Sequence, residues 1–290
     1  MCEPLPSVTL PLPPPPPPLP HLCLSSPKKS EMTDTLMPAS CKHLPLPEIS
    51  KNISYFFKDS DINIVSFCKP VQPVIQEGPC CGIVALSMAS QFFSDKYKTS
   101  EEILASAKLA KFTKRGEMFS AFNMATLSSS LIDCEASVIN NLSQNSQDIL
   151  HNVCLGYPVL IPYDADKNHE PCLNKGLNAH WAILCGICFS VSKDLSSLFK
   201  NFTVDNEIPY IFNMVSGTET EQLLNFASKI GVFAYQGKSK HLALWDLDAL
   251  ILSNNNLFEV TNKYSLDDLI IPSNGLSELN DKAVLLKERA

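Results

Sequence analysis

Six consecutive prolines lie inside LPLPPPPPPLP at residues 10–20, and they bar that stretch from any helix or sheet. Proline fixes φ and lacks an amide donor, so such a run stands out as a left-handed polyproline II rod. Fourteen of the 22 prolines fall within residues 1–47, after which apolar segments reach ordinary globular density. The expected organisation is therefore a disordered proline-rich tail over 1–47 followed by one folded domain over 48–290. Two readings suit the rod: a stiff spacer, or a ligand for aromatic-lined grooves of the profilin, SH3 or WW type, which it enters with little entropy to lose.

The folded part carries the whole formal charge of −7, because Lys28, Lys29 and Lys42 balance Glu3, Glu31 and Asp34 in the tail. An acidic domain without a basic stripe argues against a phosphate backbone, so nucleic acid is not an expected partner. The longest uncharged apolar run, WAILCGICFSV, falls short of the ~20 residues that cross a bilayer, and no basic-then-apolar leader follows Met1. A soluble, cytoplasmic protein with no membrane partner is expected. Eleven cysteines, odd in number and without paired spacing, read as reduced thiols. In that compartment the glycosylation sequons at Asn52, Asn141 and Asn201 stay silent.

QEGPC, with its Gly-Pro turn, leads into CGIVALSMASQFFSDK, where Cys81, Ala85, Met88, Ala89 and Phe92 share one helical face. SEEILASAKLAKF predicts a second helix capped by Ser100, and EMFSAFNMATLSSSL a third from Glu117. The second half changes character. Residues 157–164 and 180–191 read as strands, and 231–237 with 241–248 as a hairpin, whereas 192–230 has weak periodicity and reads as a surface insertion. Helices gathered first and antiparallel strands afterwards indicate an α+β fold.

A thiol is nucleophilic as thiolate, and a helix N-terminus or a nearby imidazolium favours that form. Cys81 is placed in the first helical turn, and Cys80 projects about 100° away from it. Gly82 beside it would admit a substrate backbone. Gln76, across the Gly-Pro turn, offers a side-chain NH2 that with the Cys81 amide would make an oxyanion hole. The plain alternative is a buried free cysteine in a core helix. For a base, His169, His180 and His241 lie in the folded part away from the polar His151 stretch, and His180 ranks first because it opens a strand beside Trp181. Asp246 is the candidate to hold the imidazole in its tautomer, with Asp248 on the same strand face.

IQEGPCCGIVALSMA, GEMFS, GYPVLIPYDADKNHEPC, KGLNAHWAI and YQGKSKHLALWDLD together resemble the actin maturation proteases, papain-like cysteine peptidases related to the bacteriocin-leader peptidases. The resemblance covers roughly residues 70–260 and extends to the proline-rich tail. It implies a papain-like fold, with the nucleophile helix of an N-terminal helical part packed on an antiparallel sheet. The implied activity is removal of the N-acetylated first residue, Cys or Met, of newly made actin, leaving an acidic terminus. Profilin binding through segment 10–20 is implied as well. Carried over, Gln76 is the oxyanion donor, Cys81 the nucleophile and His180 the general base, and no cofactor is expected. The chain departs from the pattern in its Cys80–Cys81 doublet and in the long segment between His180 and Asp246, since related folds place the orienting group on the next strand.

An acidic domain and an acidic product terminus repel, so two basic islands, KLAKFTKR at 108–115 with Lys114 and Arg115, and GKSKH at 237–241, are candidates to reverse the field near the cleft. Rival readings are an inactive papain-like module that tethers profilin or actin through the tail, and a transglutaminase-like amide transferase. Spacing disfavours a metal site from His169, Cys172, His180 and Cys185, so no metal is expected. Cys185 and Cys188 read as packing rather than redox, because they lie inside an apolar strand.

Overall fold

The computed structural model describes residues 47–58, 62–94, 97–192, 203–204, 211–213, 224–260 and 265–289. The chain divides into units 1–42 and 43–290, and the second is described below. The tail with its polyproline run, Asn201 and most of the expected 192–230 insertion lie outside the described residues.

The elements run α1 (Pro47–Phe56), β1 (Ile62–Cys68), α2 (Cys81–Ser90), α3 (Ser100–Leu109), α4 (Ala121–Leu131), β2 (Cys134–Asn140), α5 (Ser146–Cys154), β3 (Val159–Asp164), β4 (Ala179–Ser192), β5 (Thr203–Val204), β6 (Ile211–Asn213), β7 (Ile230–Tyr235), β8 (Ala243–Asp246), α6 (Leu247–Asn254) and β9 (Lys282–Glu288). This is an α+β arrangement on a mostly antiparallel sheet, in which β1 and β6 form a parallel pair. β4 is its spine. It pairs with β3 through Ala179–Leu184, with β1 through Gly186–Ser192 and with β7 through Ile183–Phe189. β9 lies between β2 and β3.

Alternation along β4 divides the core. Trp181, Ile183 and Cys185 face a cluster containing Ile53 of α1, Ile83 and Met88 of α2, Ile103 of α3 and Met124 of α4. Ala182 and Leu184 face the other side, with Ile149 and Val153 of α5 and Leu250 of α6. A register shift between Leu184 and Gly186 resets the parity, so that Ile187 and Phe189 join the second cluster while Cys188 moves to the first. An inserted residue of that kind flips every later side chain. Gly186 is required there: a Cβ would stand 2.4 Å from the Phe67 carbonyl oxygen.

Several sequence expectations change in detail. α2 is buried on all sides from Gly82 to Ser90 rather than on one face, because it lies inside the helical layer. Cβ at Gly82 would meet the Met124 methyl at 2.8 Å and Met118 Cβ at 3.0 Å, so this glycine serves helix packing rather than substrate access. α3 is capped by Thr99, not Ser100, in a reciprocal capping box with Glu102. α4 starts at Ala121, four residues later than expected, because the Ser120 hydroxyl accepts the Asn123 N–H. The chain 241–248 splits, with β8 ending at Asp246 and α6 beginning at Leu247.

Candidate active site

Two element starts converge on one cavity of about 420 Å³. The first turn of α2 brings Cys81, the segment before it Gln76, the head of β4 His180, and the loop after β7 Lys238. His169, Asn178 and Glu117 add polar lining, and Met118, Phe119, Leu276 and Leu279 supply apolar wall. Sequence positions a hundred residues apart thus share one concave surface.

Burial pushes the Cys81 thiol above its ordinary value, opposed by the amides of Trp181, Gly82 and Cys81 itself and by the Lys238 charge. Of these amides, that of Trp181 belongs to the residue adjoining His180. The Trp181 indole donates to the Met118 carbonyl at 2.8 Å, pinning the head of β4 to the cavity wall. Cys80 points elsewhere: its thiol donates to the Arg115 carbonyl at 3.5 Å and abuts Gly116, where a Cβ would fall 2.2 Å from its sulfur.

His180 is 6% exposed, and burial lowers its pKa to about 4 against the pull of the Gln236 carbonyl. Nε2 lies 2.6 Å from the Gln236 backbone oxygen. A carbonyl only accepts, so Nε2 carries the hydrogen and Nδ1 keeps the lone pair that a general base needs. The ring is held on two further sides: His169 stacks on it at 5.3 Å, and Tyr163 meets it edge-on at 5.7 Å. The Tyr163 hydroxyl donates to the His169 carbonyl at 2.8 Å, fixing the stacked residue in its left-handed backbone, φ 64°.

Asp246 does not orient His180. It caps α6, accepting the Ala249 N–H at 3.1 Å, and Asp248 sits exposed in that helix's first turn. Register explains the separation: Asp246 pairs with Gly231, and Gly231 with Cys188. Cys188 is eight residues along β4 from His180, roughly 26 Å at ~3.3 Å per residue. The group that holds the His180 ring is the main chain at Gln236, just past β7, a strand that pairs with β4 from Ile183 onward.

Gln76 is held at both ends. Its amide donates to the Gly237 carbonyl at 2.8 Å, and its side-chain Nε2 donates to the Gly78 carbonyl at 2.9 Å. Gly237 makes this approach feasible with φ 74°, for a Cβ there would meet Val84 at 3.2 Å and Gln76 Oε1 at 3.3 Å. Glu117, 4% exposed, is a fastening rather than a free acid. Burial raises its pKa, but the amides of Lys114, Ile270 and Arg115 and the Thr113 hydroxyl outweigh that and hold it below the usual carboxylate range.

Of the remaining candidates, His241 is exposed and bonds Glu48 at 2.9 Å. Cys185 is buried in the core opposite the His180 face, its thiol 3.6 Å from the Phe233 carbonyl. Cys68, Cys185 and Cys188 are free thiols. Among the described residues, no helix is long and apolar enough to cross a membrane.

A family described as "Actin maturation protease-like, C-terminal domain" matches residues 71–188, a span that includes Gln76, Cys81 and His180. Against the Actin maturation protease of Mus musculus the chain is 36% identical over 216 residues, covering 72% of this chain and 59% of that protein. For the Homo sapiens protein of that name the identity is 35% over 250 residues, covering 82% and 70%. The Drosophila melanogaster protein is 28% identical over 222 residues, covering 74% and 68%. The alignments thus span about six tenths of the mouse and bovine relatives' length, 59% and 61%.

Proposed function

Because this chain belongs to the actin maturation protease family, which it matches over 70% of the human and 71% of the Danio rerio member, we propose that it is a cysteine peptidase that removes the N-acetylated first residue, Cys or Met, of newly made actin. The observation that carries the reading is a thiol and an imidazole sharing one cavity, with the imidazole's Nε2–H committed to a carbonyl. Burial keeps both groups neutral at rest.

Sulfur attack on the scissile carbonyl carbon is therefore coupled to passage of the Cys81 proton to His180 Nδ1. As the C–S bond forms, the carbonyl electrons move to oxygen, where the Cys81 amide and the second hydrogen of the Gln76 NH2 receive them. His180 then protonates the leaving nitrogen, the C–N bond breaks, and water hydrolyses the thioester to free the acetylated residue. The cavity suits a blocked terminus. An aminopeptidase for free amines needs a carboxylate to anchor the ammonium, and among the described lining residues the one carboxylate, Glu117, is already occupied by backbone amides. Apolar walls at Met118, Phe119, Leu276 and Leu279 suit an acetyl cap and a small side chain. Segment 10–20 is proposed as the docking rod for profilin, delivering actin to the cavity in the cytoplasm.

Incubating the purified chain and its Cys81→Ala form with N-acetylated actin, and following the actin N-terminal peptide by mass, tests this. The unmodified chain is expected to remove one acetylated residue and the variant none. No mass change with the unmodified chain would leave the tethering reading in its place.

A further inference from the structure

Resting on that peptidase reading, we infer that Lys238 is a specificity-determining residue that selects an acidic side chain immediately after the scissile bond. The direction of the substrate follows from the chemistry. His180 protonates the leaving amine, so the departing peptide must pass His180. The main chain that holds His180 is Gln236, and the next residue, Gly237, accepts the amide of Gln76. Lys238 follows directly, its own amide donating to Gln236 Oε1 at 2.8 Å, so its side chain is carried on a braced turn between the oxyanion arm and the base. The departing peptide's first residue meets that turn.

Charge singles out Lys238. It lines the cavity, is exposed, and its ammonium has no hydrogen-bond or ion-pair partner among the described residues. Its field reaches the reacting groups, for it favours the charged form of Cys81 and opposes that of His180. Glu117, the other formally charged residue of the lining, is spent on backbone amides. In the other basic island, the Lys114 ammonium donates to the Asp267 carbonyl and Arg115 stands 3.9 Å from Asp268. Among the described lining residues, a carboxylate at the first position of the departing peptide therefore finds one cation, Lys238.

The test uses short N-acetyl-Met-Asp, N-acetyl-Met-Asn and N-acetyl-Met-Lys peptides, otherwise identical, with the full chain and its Lys238→Met and Lys238→Glu variants. The readout is the ratio of kcat/KM between peptides within each protein, so any shared effect on Cys81 reactivity cancels. The unmodified chain should prefer Asp over Asn by about fivefold, the size of one exposed ion pair. Lys238→Met should bring that ratio to about one, and Lys238→Glu should invert it toward the Lys peptide. Cleavage of all three peptides with equal efficiency, or ratios that both variants leave unchanged, would overturn the inference while the peptidase reading stands. Cleavage of none by the unmodified chain would overturn both.

Discussion

At the scale of single residues, the site is decided by which atom holds an imidazole. Nε2 of His180 rests on a main-chain carbonyl, whereas Asp246 serves as a helix cap far along the sheet. Asp246→Ala should therefore lower stability by about 1 kcal/mol and leave kcat/KM within about twofold, where loss of a true triad acid lowers turnover by ~10⁴. Denaturant unfolding and peptide turnover measured on one preparation separate the two; a collapse of turnover with the fold intact would restore Asp246 to the site. That Cys81, His180 and Gln76 share one cavity was legible because each proposed role demands a particular side chain in a particular local frame. The orienting group was not, since a backbone carbonyl has no residue type to search for.

At the scale of elements, the turn 236–238 joins His180, the proposed base, to Gln76, the proposed oxyanion donor. Gly237 accepts the Gln76 amide in a left-handed conformation with little room for a side chain. Gly237→Ala should cost about 1–2 kcal/mol through the backbone alone and, by shifting Gln76, reduce kcat about tenfold, within the range of a disturbed oxyanion donor. Thermal unfolding with steady-state kinetics checks this, and full turnover in a destabilised variant would detach the turn from catalysis. Elements with strong local signals were readable: β3, β4 and the helices at 81 and 100 announce themselves by β-branched runs, turns and caps. β1 and β2 lie outside the expected strands because INIVSFC and CEASVIN are seven residues each and their apolar positions keep no clean period of two, although turn residues such as Asp133 and Asn141 flank the second. Their strand character comes from pairing with β4 and β9, both distant in sequence.

At the scale of the whole molecule, the buried imidazole links acid to stability. The folded state binds a proton at His180 only near pH 4, whereas the unfolded chain does so near 6.5. Between these values the unfolded state holds more protons, so acidification favours unfolding; the contribution present above about pH 6.5 is lost progressively and is gone below about 4. It amounts to ~3 kcal/mol. Comparing denaturation midpoints of the unmodified chain and His180→Gln across pH 4–7 should show a flatter profile for the variant, and parallel profiles would remove His180 as the source. The α+β class was evident from the order of patterns along the chain, but strand order was not, because β9 enters the sheet from beyond residue 280 without any local mark of its destination.

That late strand has a consequence for biosynthesis. While a nascent chain is threading out of the ribosome, β2 and β3 exist with the edges that β9 will occupy still bare. The thiol and imidazole have both emerged long before residues 282–288 arrive to join those edges. The sheet that presents the proposed base is therefore filled only after residues 282–288 have emerged, so a protein proposed to finish other newly made chains must await a strand made well after its own site residues.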